Sequence, residues 1–290
     1  MQIALNITLS VCIISLLAFS FRIIYSTIRF FNIAFAITIT LSAYFSYFFA
    51  IVLDLNLFFS IFSSVIISII IGFVIVIFIF RPLQKKYLEN WQLLIASLGV
   101  YIILQNIISL IWGDSTLSFR TWEVKEGYLF LGAYITDVQI ITIISCIVLL
   151  VFSWLFIEKT KVGQQIKAVS SNPQLSSYYG ISTNKATLYS FALGSGLAAC
   201  AGILIAADTD MTPTMGFNWL LYVVVAMIIG GMGKMRYLLL GALLLATAQH
   251  LSAHYLDSKW MNATAYIILI VFLYFKPFGF SGQKLKKQEV

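Results

Sequence analysis

Uncharged apolar runs of about twenty residues follow one another along the chain, separated by short polar or basic connections. A helix needs ~20 apolar residues to cross the hydrocarbon core of a bilayer. The pattern predicts nine such helices, near 3–24, 31–53, 57–80, 91–112, 138–157, 187–207, 217–232, 236–256 and 261–276. A tight first turn at 22–30 and an interruption at Gly230 leave room for counts of eight or ten. The predicted fold class is all-α, a polytopic transmembrane helical bundle, with residues 1–290 as a single domain. The first run, 3–21, has neither a basic leader nor a small-residue cleavage site, so it reads as a retained span.

One stretch departs from the pattern. Residues 158–186, EKTKVGQQIKAVSSNPQLSSYYGISTNKA, are polar and basic between two apolar runs. Asn172 suits a helix N-cap and Pro173 a first helical position, where a missing N–H costs nothing. Gly180 suits the stop after about two turns, and Gly163 with residues 164–170 predicts a short helix before it. The segment therefore reads as a compact helical element or as a solvated connector.

Charge placement orients the chain. If 158–186 is cytoplasmic, alternating connections put 15 of the 18 Lys and Arg on the same side, leaving Arg120, Lys125 and Lys259 opposite. This positive-inside bias predicts an outer N-terminus, an inner C-terminus and a short basic inner tail over 277–290. Asp54, Asp114, Glu123, Glu126, Asp137, Asp208, Asp210 and Asp257 then make the outer face acidic, and the longest outer connection, 113–137, has room for a surface element.

Composition agrees: 61% of residues are hydrophobic and 10% charged, with mean hydropathy +0.96, against about 25% charged in soluble domains. The net charge of +7 is dispersed over short connections rather than forming one basic stripe, which argues against nucleic acid as a partner. Cys12, Cys146 and Cys200 all fall in apolar runs and offer neither a disulfide framework nor a metal spacing.

Several motifs fail as catalytic sites. Gly230, Gly231 and Gly233 before Lys234 suggest a phosphate loop, but Ile228 stands at the first glycine position and Met235 follows the lysine, so no Walker A loop is present. The same glycines suit a tight inner-face turn. His250 and His254 have the spacing of zinc ligands, yet Leu251 replaces the required glutamate and the chain has no third histidine; no metal or cofactor is expected on this chain. Gly194, Ala198 and Gly202 form a small-residue face for close helix packing. Among the polar groups within spans, Asn32, Ser97 and Asn106 are candidates to line a translocation path, with interhelical hydrogen bonding as the alternative. No acidic or basic residue occupies the middle of a predicted span, which disfavours intrinsic ion coupling and points to a partner as the energy source.

Along the chain stand IYSTIRFFNIAFA from Ile24, RPLQKK from Arg81, GQQIKAVSSNPQLSSYYGI from Gly163, FALGSGLAACAGIL from Phe191, PTMGF around Met215, IIGGMGK, and KPFGFSG from Lys276. In order and spacing these motifs resemble those of the permeases of branched-chain amino-acid ABC importers. The resemblance implies a bacterial cytoplasmic-membrane subunit without ATPase activity. It also implies a second permease subunit, two ATP-binding subunits that hold ATP and Mg, and an extracytoplasmic solute-binding protein. Gly163, Lys167, Ala168, Ser176, Gly180 and Ile181 would then belong to the ATPase-coupling loop. The chain departs from the family at Phe35-Ala36, where His-Gly is usual, at Ser176 to Tyr179, and at Gln249, where an acidic residue is common. Related families with this architecture carry sugars or urea, and a self-contained channel for a small neutral solute is the competing reading.

Overall fold

The computed structural model describes residues 1–86, 88–120, 127–130, 132–231, 235–276 and 279–281. The chain is helical almost throughout. In order the helices are α1 (Gln2–Ile28), α2 (Phe35–Tyr47), α3 (Leu57–Val74), α4 (Arg81–Lys85), α5 (Asn90–Trp112), α6 (Asp137–Lys159), α7 (Lys161–Ser171), α8 (Pro173–Tyr178), α9 (Thr183–Thr209), α10 (Met215–Gly230), α11 (Met235–Tyr255) and α12 (Trp260–Phe275). A hairpin of β1 (Tyr128–Phe130) and β2 (Ala133–Ile135), pairing Leu129 with Tyr134, interrupts the all-α expectation in the connection between α5 and α6.

Local chemistry explains most boundaries. Arg29 takes a left-handed conformation (φ 58°) and donates its N–H to the Tyr25 carbonyl at 2.9 Å, closing α1 and opening an irregular stretch before α2. After α3 the helix widens to a π-helical segment at Ile75–Phe80, immediately before Pro82. A proline removes one N–H and crowds the carbonyl four residues back, here Phe78, so the wider turn relieves that conflict.

The centre is α9. It packs on α1, α2 and α3, and α1, α2 and α9 bury about two-thirds or more of their apolar stretches, whereas α3, α5 and α6 bury under a third. Lipid offers no hydrophobic drive between helices, so small residues must supply the fit. Gly194 abuts Ile24 and the Ser20 carbonyl of α1, while Ser20 Oγ donates to the Gly194 carbonyl at 2.7 Å. Gly202 abuts the Ile39 carbonyl and Ser42 of α2. The small-residue face predicted on this span is the contact surface itself.

Among the described residues, six helices are long and apolar enough to cross a membrane, matching the first six predicted spans: α1, Phe35–Val52, Leu57–Lys85, α5, α6 and α9. The remaining three predicted spans are also helices, but shaped differently. Together α10 and α11 meet the test, bent by 120° at the Gly231 break, and α12 has only 16 residues. Among the described residues, length and composition thus give six crossings, or seven if the bent pair is one span, and do not reach the expected count of nine.

Candidate functional site

The element α7–α8 hangs between α6 and α9 and is fixed by three caps. Thr160 Oγ1 accepts from the Gly163 N–H at 3.0 Å, Asn172 Oδ1 from the Leu175 N–H at 3.0 Å, and Ser182 Oγ from the Lys185 N–H at 3.4 Å. Pro173 occupies the first turn of α8, as predicted. Gly180 (φ 77°) ends α8: its N–H donates to the Ser177 carbonyl and the Ile181 N–H to the Ser176 carbonyl, both at 3.0 Å. This is the paired-bond helix stop that a left-handed residue permits.

The helix α7 presents Gly163, Ile166 and Val169 inward. A side chain at Gly163 would strike the Ile157 backbone, so this glycine lets α7 turn tightly under α6. Lys167 pairs with Glu158 at 2.5 Å on the surface. Arg29 Nη2 donates to the Ser170 and Ser171 carbonyls at 2.9 and 3.1 Å, placing a cation at the negative end of α7. Arg81 similarly reaches the Asn184 carbonyl, at 2.7 Å. Of the predicted coupling residues, Lys167 and Gly180 are exposed, Ala168 and Ile181 half-buried, and Gly163 and Ser176 buried. Ser176 Oγ donates to the Asn172 carbonyl within its own helix. The outward face of α8 is instead Leu175, Tyr178 and Tyr179, the tyrosines 87% and 80% exposed.

Of the predicted path residues, Ser97 bonds the backbone beside Asn32. The Ile33 N–H donates to Ser97 Oγ at 3.0 Å, whose hydroxyl lies 2.7 Å from the Leu94 carbonyl, so α5 pins the break between α1 and α2. Asn32 is 2% exposed, its Oδ1 has no hydrogen-bond partner among the described residues, and it lines a cavity of about 10 Å³ with Thr38, Gly72, Phe191 and Ser195. That volume is on the scale of one water. Asn106 lies elsewhere, on the exposed side of α5. A serine row on α3, Ser60, Ser64 and Ser68, continues to Gly72 at the same cavity; each hydroxyl donates to the carbonyl four residues back. Its signal was the strict four-residue spacing.

At the predicted inner-face turn, Gly230 and Gly231 (φ 78°) end α10, and Gly233 lies outside the described residues. Gly230 abuts the Tyr237 carbonyl, and the Phe280 N–H donates to the Ile229 carbonyl at 2.9 Å, so the chain after α12 returns to this turn. Of the basic tail at 277–290, only residues 279–281 are described. His250 shares a hydrogen bond with Ser10 (2.8 Å), and no cluster of metal-ligating side chains occurs among the described residues.

The opposite end of the bundle is tied by other means. Leu117 and Met211 exchange backbone bonds at 3.0 and 2.9 Å, Arg120 pairs with Asp210, and Gln2 makes two bonds to the Tyr134 backbone at 2.9 and 3.1 Å. The hydrogen bond from Arg120 holds the Asp210 carboxyl below the usual range. One end of the molecule thus gathers Arg29, Arg81 and the α7–α8 lysines, the other Asp114, Asp137 and Asp210.

A helical bundle with such long apolar helices and apolar outer faces defines a multi-pass membrane protein. The family model described as "Branched-chain amino acid transport system / permease component" matches residues 3–275, and the chain belongs to that family of transport permeases. It is 26% identical over 210 residues to the high-affinity branched-chain amino acid transport system permease protein LivH of Escherichia coli K12, covering 70% of this chain and 67% of that one. The probable branched-chain amino acid transport permease protein LivH of Methanocaldococcus jannaschii is 28% identical over 228 residues, 71% of this chain and 69% of the other. Among solved structures, PsaBC from Streptococcus pneumoniae in complex with Fab superposes with a TM-score of 0.54 at 11% identity, over 96% of this chain and 93% of that chain, a likeness of fold.

Proposed function

We propose that the chain is the permease subunit of an ABC importer for branched-chain or related amino acids in a bacterial cytoplasmic membrane. The observation that carries the coupling role is the capped α7–α8 element, with Leu175, Tyr178 and Tyr179 exposed in a basic setting. Exposed aromatic side chains on a well-capped helix serve as anchors for a protein groove. The partner there is an ATP-binding subunit, one of two that bind ATP and Mg, and a second permease completes the pathway. The outer connections receive a solute-binding protein. ATP-driven closure displaces α8, and the bundle alternates between outward and inward openings.

The test is solute-stimulated ATPase activity of the reconstituted complex. Replacing Tyr178 and Tyr179 together by alanine is expected to lower it at least about tenfold, or ~1.4 kcal/mol of coupling. Because both side chains are exposed, the permease itself should melt as before. Full stimulation in the double variant, or solute flux through vesicles holding this chain alone, would overturn the reading; the second outcome would identify a self-contained channel.

A further inference from the structure

The span α5 carries two features that the fold of this chain does not use. Inside the apolar stretches of α3, α5 and α6, every exposed residue is aliphatic or aromatic except one, Asn106. Its Nδ2 donates to the Ile102 carbonyl at 2.8 Å and to Gln105 Oε1 at 3.3 Å, and Gln105 Nε2 donates to Ser109 Oγ at 3.3 Å. These bonds use donors and leave Asn106 Oδ1 without one among the described residues. Six residues before the end of α5 at Trp112, the amide sits ~9 Å inside the span at 1.5 Å per residue. Lipid chains offer nothing to satisfy it there.

The second feature is Gly99, seven residues earlier. Glycine is among the least favourable helix residues and earns its place in membrane helices where another backbone comes close. In α9, Gly194 and Gly202 meet α1 and α2 in this way, but a Cβ built on Gly99 meets nothing within 4 Å. Gly99, Ile103, Asn106 and Leu110 follow at steps of four, three and four, so they form one stripe along α5, with the spacing of a helix-pair seam.

The geometry points to this stripe as the seat of a transmembrane helix of the second permease subunit, approaching closely at Gly99 and donating an N–H or O–H to Asn106 Oδ1. The inference rests on the permease reading above and names the face of this chain where that partner sits. The exposed faces of α3 and α6, with no such amide, are left to lipid.

The experiment uses the assembled complex with the three native cysteines replaced by alanine. Asn106→Cys, labelled with a benzophenone maleimide, is expected to photo-cross-link to the second permease chain, whether a copy or a paralogue. Gly99→Leu meets no atom of this chain, so the isolated chain should keep its melting temperature in detergent while recovery of the second permease with it falls at least tenfold. Asn106→Leu should lower that recovery severalfold. An active complex in which Asn106→Cys stays uncrosslinked, with a fluorophore there quenched by brominated lipid, would overturn the inference, as would normal assembly of Gly99→Leu. A wild-type complex lacking solute-stimulated ATPase would instead strike the permease reading itself.

Discussion

At the scale of single residues, the clearest pH-sensitive contact is Arg120 with Asp210, which joins two connections at the acidic end. The Asp210 carboxyl is held below its ordinary value, first by the hydrogen bond from Arg120. A carboxyl depressed in the folded state adds stability above its unfolded value and loses it as pH falls through the folded one. The contribution is modest, about 0–1 kcal/mol, since both side chains are partly exposed. Lowering the pH from 6 towards 3 should therefore reduce the hydrogen-exchange protection of the neighbouring Leu117 and Met211 amides, corrected for intrinsic rates. Asp210→Asn should flatten that dependence; an unchanged slope would remove the pair from the account. Residues whose role depends on size alone were legible: Gly194 and Gly202 declared a packing face by spacing, and they make it. Ser176 was not legible, because a sequence does not say which side of a short helix a residue takes, and its hydroxyl is turned into its own helix. Asn32 and Ser97 were marked as polar groups in apolar runs, but that Ser97 bonds the backbone beside Asn32 at a break in the helices depends on the left-handed turn at Arg29, for which the sequence carries no glycine.

Among the elements, α8 was the most readable, since Asn172, Pro173 and Gly180 each favour one position on a helix end for a separate reason. With six residues it has little stability of its own, as short helices rarely survive without caps or packing. Asn172→Ala removes the acceptor for the Leu175 N–H and should cost about 1 kcal/mol locally. Protease nicking between α7 and α9 is expected to accelerate severalfold while the bundle melts unchanged; a shift of the whole melting transition would show that α8 is integral to the core. The β-hairpin was unreadable for the opposite reason: its three-residue strands give no usable alternation, and only room for some surface element was evident. The serine row of α3 escaped notice because serine counts as polar, although bonded to its own backbone it behaves as a small residue in a membrane helix.

For the whole molecule, the alternation of apolar runs predicted the bundle and its first six crossings, because ~20 apolar residues admit few other fates. The final third was harder. Runs 217–232 and 236–256 have the composition of two spans, but α10 and α11 meet at 120°, a geometry that hydropathy does not record. Single cysteines test the orientation proposed from charge: Ser170→Cys should react with a membrane-impermeant maleimide only from the cytoplasmic side, Asp114→Cys only from outside. Reversed labelling would invert every connection. The grip of Arg29 on the carbonyls of Ser170 and Ser171 has a mechanical sequel. Between Arg29 and the start of α2 at Phe35 the regular helical ladder is interrupted, and the chain around Asn32 is held by turn bonds and by Ser97 instead. A rotation of α7 must either break the guanidinium's hold or pull on this break, so the chain carries its own tether from α7 to the polar break inside.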